Sequence, residues 1–360
     1  MKVLYVYDKM PNEYEKYISV FFDNLKNKIN VKTLVYEKNT NANYNIISYG
    51  FFDLFQRLLY KLSISSFRSS DIKIMNEYDI VHVQYSYLFL KILPLLTQKK
   101  RPKIIITLRG GDTYIKPWVS KRWIHFYKNY GVAIDAFIVM SNNQKEYLLK
   151  WGIDENKVHV IPISFGNESA IEPKFPNQDT LKIVSAYRMT WEKNIEGSVR
   201  FAKLLKEKSI PFVYDIYGDG HDFGQLYYLV EKFGLKENVS IKGKVENSVI
   251  KEKLVDYDFY LQISLSEALP TSVLEAQSFG LPCIVSNSGG LPEAIIPNKT
   301  GICSDYYDID YFVNETLKLW KNKERYHQFS KDAITFANEN FTIDIEIKKT
   351  IAVYDTVLNK

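Results

Sequence analysis

Short β-rich runs alternate with longer amphipathic ones along most of this chain, and few folds satisfy that alternation. Val3–Tyr7, Val31–Tyr36, Ile80–Gln84, Lys103–Leu108, Ala136–Met140 and Val158–Ile161 read as strands. Several are apolar at consecutive positions, as expected when helices cover both sheet faces. Helical patterns lie between them, such as Tyr14–Ile29 and Asn142–Trp151. The second follows Ser141, a good N-cap, and closes at Gly152. Alternation of this kind builds a parallel, doubly wound α/β sheet.

The pattern breaks at Glu172-Pro173-Lys174-Phe175-Pro176-Asn177, where two prolines favour an extended linker. It then restarts. Leu181–Ala186, Phe212–Tyr217, Val239–Ile241, Phe259–Ile263 and Pro282–Ser286 are strand candidates. Thr190–Lys208, Phe223–Phe233, Ser248–Asp256 and Thr271–Phe279 are helical candidates, and Ile343–Leu358 is a last amphipathic helix. The chain has 360 residues, and domains average roughly 150. The expectation is two αβ domains joined by a hinge, residues 1–170 and 171–340, with 341–360 as a terminal helix. A ligand is expected between them, at the carboxyl ends of strands.

A composition of 46% hydrophobic and 25% charged residues excludes a disordered chain. No run reaches the roughly 18 apolar residues of a spanning helix. The most apolar stretch, Leu88–Leu96, holds Lys91 and Pro94. Val3–Tyr7 reads as a first strand rather than a signal peptide. Cys283 and Cys303 are the only cysteines, too few for a disulfide scaffold, and a reducing cytoplasm fits. The net charge of +5 hides an asymmetry. Residues 1–165 hold 24 Lys and Arg against 14 Asp and Glu, while the rest hold 23 against 28. One half is therefore expected to face an anion, whether nucleic acid, acidic lipid or a phosphorylated substrate. The alternative is an uneven scatter of solvated lysines.

Residues 264–294 are the densest in signals. A strand ends near Ser264, and Glu267 falls in the loop that follows. Pro270 stands at the first helical turn, Gly280 ends that helix, and Pro282 forbids its continuation. The amides of Thr271, Ser272 and Val273 are then free at a helix N-terminus, which suits phosphate. Glu267 precedes that anion site and Glu275 lies about one turn into the helix. Carboxylates accept from hydroxyls, so the two suggest a sugar and a ribose. Each alone reads equally as a helix-terminus charge or a solvated residue. Arg188 and Lys193 sit in the loop after the first strand of the second half, again where anions bind. Gly218-Asp219-Gly220 follows the next strand, a weak signal alone because any tight βα turn can need glycine.

Together these motifs resemble the retaining glycosyltransferases of the two-domain GT-B fold, family four. Glu267 and Glu275 stand at that family's E-x7-E spacing, and Arg188 and Lys193 match its paired basic residues. Gly218-Asp219-Gly220 matches its G-x-G turn, and Gly289-Gly290-Leu-Pro-Glu293 its second glycine loop. The resemblance implies two Rossmann-like domains facing a central cleft, with the last helix crossing back to the first. It implies transfer of a glycosyl group from a nucleotide-diphosphate sugar with retained configuration. Arg188 and Lys193 would hold the diphosphate and stabilise the departing nucleotide. Glu275 would bind ribose. Glu267, with the backbone amides of the loop Leu269-Pro270-Thr271-Ser272, would bind donor sugar and phosphate. Gly218 and Gly220 would let the backbone approach the nucleotide, and Lys242-Gly243-Lys244 would lie beside the base. No metal or cofactor is expected; the nucleotide sugar is a substrate.

The first half departs from the family. The loop after the first strand, Asp8-Lys9-Met10-Pro11-Asn12, has no glycine. The His-Gly-x-Asp type turn after the fourth strand is Arg109-Gly110-Gly111-Asp112 here. Asp112 is expected near the acceptor hydroxyl, or as a helix N-cap. Lys116–Lys128 and Phe51–Leu62 mix cations with aromatics, as membrane-interface helices do and as core-facing helices also do. A glycan or lipid-linked acceptor in surface polysaccharide synthesis is expected, with a cytoplasmic enzyme peripheral at an anionic membrane. Another GT-B enzyme, a sugar-nucleotide epimerase or an inverting transferase, is the alternative. A nicotinamide oxidoreductase would carry an acid about 20 residues after the glycine turn, where Ile241-Lys242-Gly243 stands. No nucleic-acid module is recognised.

Overall fold

The computed structural model describes residues 1–11, 16–37, 41–45, 55, 58, 59, 62, 67–166, 170–177 and 179–360. Most of Phe51–Leu62 lies outside the described residues. The chain divides into two compact units: Met1–Pro162 with Glu346–Lys360, and Ile163–Ile345.

The first unit holds a six-stranded parallel sheet: β1 (Lys2–Tyr7), β2 (Asn30–Val35), β3 (Ile80–Gln84), β4 (Lys103–Thr107), β5 (Ala136–Val139) and β6 (Val158–Val160). Their order is β2-β1-β3-β4-β5-β6. The chain winds one way from β1 to β2 and the other way from β3 on. Its switch point is therefore at β1 and β3. One sheet face is apolar: Leu4, Val6, Val81, Val83, Ile104 and Ile106 pack against Leu88, Phe89, Ile92 and Phe126. The other carries Tyr5, His82 and Thr107, and the last helix, Ile343–Leu358, covers it. The Tyr354 hydroxyl lies 2.6 Å from the Tyr5 hydroxyl and 2.6 Å from His82 Nδ1, while His82 Nε2 lies 2.6 Å from Thr107 Oγ1. Both ring nitrogens are thus occupied. Burial, reinforced by the Arg109 charge, pushes His82 down to about 3, so the ring is neutral at ordinary pH.

The second unit holds another six-stranded parallel sheet: β7 (Leu181–Ala186), β8 (Phe212–Tyr217), β9 (Val239–Gly243), β10 (Phe259–Gln262), β11 (Cys283–Ser286) and β12 (Gly301–Ser304). The order β12-β11-β10-β7-β8-β9 puts its switch point between β7 and β10. Helix Ile195–Glu207 buries Val199, Phe201, Ala202 and Leu205 against Ile183, Tyr214 and Ile216.

Four expectations are corrected. The break at Glu172–Asn177 is no free linker, and the boundary between units falls at Pro162 and Ile163. The Lys174 amide donates to Ser330 Oγ, Lys174 Nζ to the Val255 carbonyl, and Trp320 Nε1 to the Asn177 carbonyl. The helix expected over Thr190–Lys208 is a 3-10 turn, Trp191–Lys193, then a helix from Ile195. Asn194 separates them in the left-handed region (φ 52°) and caps the Gly197 amide. The short edge strand β12 was not among the expected strands. Fourth, the Val273 amide is not free: it donates to the Pro270 carbonyl at 3.2 Å.

Candidate functional site

Ligands of doubly wound sheets sit at switch points, outside the carboxyl ends of the strands. In the second unit β7 and β10 run into two loops there, one carrying Arg188 and Lys193 and the other Glu267. The loops are tied together: the Leu265 amide donates to the Glu192 carbonyl at 2.7 Å, and Asn194 Nδ2 to the Ile263 carbonyl at 3.0 Å. Lys193 Nζ forms an ion pair with Glu267 Oε1. Gln262 Nε2 and Ser264 Oγ donate to the same oxygen at 2.7 and 2.9 Å, and Ser272 Oγ donates to Gln262 Oε1 at 2.9 Å. Arg188 is 59% exposed and lies 3.6 Å from Glu192. One cation is thus fixed against a carboxylate and the other is open to solvent.

Glycine makes this convergence possible. Gly218 (φ 122°) lies so close to the Arg188 loop that a Cβ would stand 1.9 Å from the Tyr187 carbonyl oxygen. At Gly220 a Cβ would stand 2.2 Å from the Met189 carbonyl oxygen. The Met189 amide donates to the Asp219 carbonyl at 2.7 Å. The G-x-G turn therefore serves first to let two loops meet, whatever else approaches it. Gly289 (φ 57°) repeats the device: its Cβ would meet the Glu267 carbonyl oxygen at 2.1 Å.

Helix Thr271–Ser278 starts from Pro270 without a side-chain cap. Thr271 and Ser272 leave their amides without a partner among the described residues. Its other end is closed by Gly280 (φ 73°), with the Leu281 amide on the Ala276 carbonyl and the Gly280 amide on that of Gln277. This is the Schellman arrangement. Glu275 faces a different set of partners from Glu267. Asn247 Nδ2 donates to both of its oxygens, at 3.2 and 3.1 Å, and Lys251 Nζ lies 3.2 Å from Oε1. Burial raises the Glu275 carboxyl above its ordinary range, and Lys251 opposes the shift. Gln262, Asn247, Lys251 and Asn194 were missed in the sequence. Only Asn194 had a local signal, an N-cap residue three before Gly197.

Lys242, Gly243 and Lys244 divide. The Gly243 carbonyl accepts from the Gly218 amide at 2.8 Å, which joins it to the G-x-G turn. Lys242 Nζ instead pairs with Asp215 Oδ2 at 3.2 Å, and Tyr257 donates to the same oxygen at 2.7 Å. Lys242, Asp215 and Tyr257 line a cavity of about 520 Å³ with Tyr217, Lys182 and Val249. The Lys244 side chain is exposed. Leu269 and Pro270 are buried.

In the first unit Asp112 is 3% exposed. Its Oδ2 accepts the Ser86 amide at 2.9 Å and its Oδ1 the Arg109 amide at 3.1 Å. Burial raises its carboxyl, and these amides oppose the shift. The carboxylate thus braces the loops after β3 and β4. Arg109 projects from the second of these. Its Nη2 donates to Gln84 Oε1 at 2.7 Å, and the guanidinium lies 5.3 Å from the Tyr17 ring and 5.9 Å from that of Tyr85. Tyr85 holds a positive φ of 76°, a strained value for an aromatic residue.

Among the described residues no group of three His, Cys, Asp or Glu side chains is placed to hold a metal ion. Nor is any helix long and apolar enough to cross a membrane.

The two units match two family models. Residues 167–336 match the glycosyl transferases group 1 model, and residues 27–163 match glycosyltransferase family 4. The N-acetyl-alpha-D-glucosaminyl L-malate synthase of Bacillus anthracis is 25% identical over 319 residues, 85% of this chain and 81% of that protein. An Escherichia coli K12 protein provisionally named colanic acid biosynthesis glycosyltransferase WcaL is 29% identical over 127 residues. That match covers 34% of this chain and 31% of WcaL. The crystal structure of Anabaena HepE with UDP and glucose superposes with a TM-score of 0.78 at 12% identity, covering 99% of this chain and 100% of that one. That likeness shows a shared fold. With a family model on each unit and the same two-sheet architecture, the chain belongs to the group 1 glycosyl transferases of the GT-B fold.

Proposed function

We propose that this transferase takes a hexosyl group from a nucleotide-diphosphate sugar held at the β7–β10 switch point. It passes that group to a glycan or lipid-linked acceptor in surface polysaccharide synthesis, with retention of configuration and without a metal ion. The observation that carries the reading is the meeting of Lys193 and Glu267 beside the two open amides of Thr271 and Ser272. The amides and the helix dipole suit a phosphate. Arg188 and Lys193 stabilise negative charge on the departing diphosphate, an electrostatic role worth about 100- to 1,000-fold in turnover per group. Glu267 accepts from donor sugar hydroxyls while Gln262 and Ser264 hold its orientation. Glu275 accepts from the ribose hydroxyls, with Asn247 and Lys251 fixing its rotamer. The UDP and glucose bound in HepE support a nucleotide-sugar donor, and the colanic acid in the name of WcaL supports a polysaccharide setting.

Thermal-shift screening against UDP, GDP, ADP and their sugars identifies the base, because a ligand that binds only the folded state raises the melting temperature. Product anomer by NMR then decides between retention and inversion. Transfer or donor hydrolysis that persists at the wild-type rate in Arg188→Ala plus Lys193→Ala would sink the assignment.

A further inference from the structure

Strands of a parallel sheet covered on both faces read as near-continuous apolar runs, and β7, β8 and β9 break that rule on one face. Lys182, Asp215 and Lys242 stand there, with Val213, 38% exposed, paired in register with Lys182. The other face of the same strands is closed: Ile183, Tyr214 and Ile216 belong to the core. The charged face floors the cavity of about 520 Å³, a volume within the roughly 300–1,000 Å³ of small-molecule sites. A bulge shapes that floor. Ile216 pairs with Ile241 and Tyr217 with Gly243, so Lys242 is the extra residue.

The charges divide into spent and unspent. Asp215 is met by Lys242 and Tyr257. Asp258, which feels the Lys182 charge, spends its oxygens on the amides of Asn177 and Lys182, both at 2.8 Å. Lys182 and Lys253 have no carboxylate within ion-pair distance among the described residues. Asp256, the other acid of the lining, is exposed to solvent. Val249 and Lys253 reach the cavity from helix Asn247–Leu254. Two residues on is about 200° round a helix, so Asn247 and Lys251, which hold Glu275, point the opposite way.

We propose that this cavity binds a small phosphomonoester carried on a flat apolar body, and that its occupant steadies helix Asn247–Leu254 from the side opposite Glu275. Two unspent ammonium groups call for a dianion, and a phosphomonoester carries about −1.5 to −2 charges at neutral pH. A carboxylate would leave one cation unmatched. Val245 and Val249, with Tyr217 and Tyr257, supply the apolar part of the lining, which favours a planar apolar body over a bare ion. Lys242 offsets the Asp215 charge, so that carboxylate does not set the sign of the site. The site is separate from the proposed donor position: Arg188, Lys193, Glu267 and Glu275 are not in its lining.

The test is calorimetric titration of phenyl phosphate into the full chain without nucleotide, with phenol and benzoate for comparison. Phenyl phosphate is expected to bind at least tenfold tighter than either. Lys182→Gln plus Lys253→Gln should weaken it at least tenfold at an unchanged melting temperature. Val213→Glu should do the same from β8 through like charge. Arg188→Ala should bind phenyl phosphate as wild type does. In hydrogen exchange, the amides of helix Asn247–Leu254 should exchange at least fivefold more slowly once phenyl phosphate is bound. No binding of phenyl phosphate overturns the proposal, as does equal binding of phenol or benzoate, or wild-type affinity in the lysine variant. Loss of binding in Arg188→Ala overturns it too, by putting the anion at the donor position. Binding that leaves exchange in the helix unchanged overturns the link to Glu275. Both readouts are taken without nucleotide, so failure here leaves the donor reading standing.

Discussion

The two switch points differ in how they are made. In the second unit the backbone does the fitting: Gly218, Gly220 and Gly289 let four loops touch in two pairs at distances no Cβ allows. In the first unit side chains do it: Asp112 caps two amides across two loops, and Arg109 reaches Gln84 between two tyrosine rings. A backbone-built site presents its loops in one geometry, so that the pairs Lys193–Glu267 and Lys251–Glu275 are set side by side on it. A side-chain-built site spends its polar groups on its own framework. The second unit is accordingly the one proposed for the donor, while Asp112 holds together two loops of the first.

The contrast can be broken at either end. The largest expected effect is Lys193→Ala, which removes the cation facing Glu267 and should lower turnover about 100- to 1,000-fold. Initial-rate kinetics check this, and a loss confined to KM would contradict an electrostatic role. Next is Gly218→Ala. Its Cβ would collide with a carbonyl and its φ is positive, so stability should fall by about 3 kcal/mol, measured by urea denaturation. Asp112→Asn is expected to cost about 1–3 kcal/mol of stability, because one of two buried amides loses its acceptor. If Asp112→Asn instead abolished turnover with stability intact, the brace would be wrong.

At neutral pH the smallest effect concerns His82, whose contribution shows only on acidification. Its folded-state value of about 3 lies below its ordinary 6.5, so the unfolded chain binds the extra proton. The stabilisation is fully present above about pH 6.5 and is lost as pH falls towards about 3. Its slope is at most about 1.4 kcal/mol per pH unit. In His82→Gln the acid limb of the stability curve should be shallower by up to that amount; an unchanged limb would show that the ring is not held neutral.

The same contrast explains what the sequence could disclose. Glycines forced by close approach leave a mark at fixed spacing, so Gly218, Gly220, Gly280 and Gly289 were legible, and with them the fold and the E-x7-E loop. Strands Ile80–Gln84, Leu181–Ala186 and Phe212–Tyr217 were readable because apolar, aromatic and β-branched residues dominate them. β12 was not: it has four residues, one of them Gly301. Partners such as Asn247 with Glu275, 28 residues apart, carry no local signal, since only tertiary folding brings them together. The prolines at 173 and 176 misled for a related reason: they do set an extended backbone, but extension does not say whether a chain is strapped down.

Glu275, held by Asn247 and Lys251, is the residue proposed to take the ribose of a nucleotide donor. Isothermal titration of one nucleoside diphosphate into wild type and Glu275→Ala tests it most directly. One of UDP, GDP or ADP is expected to bind wild type, and Glu275→Ala to weaken it at least tenfold, as expected for hydrogen bonds to a charged group, without changing the melting temperature of the free protein by more than a few degrees. Equal affinity in the two proteins, or no nucleoside diphosphate bound by wild type, would contradict it.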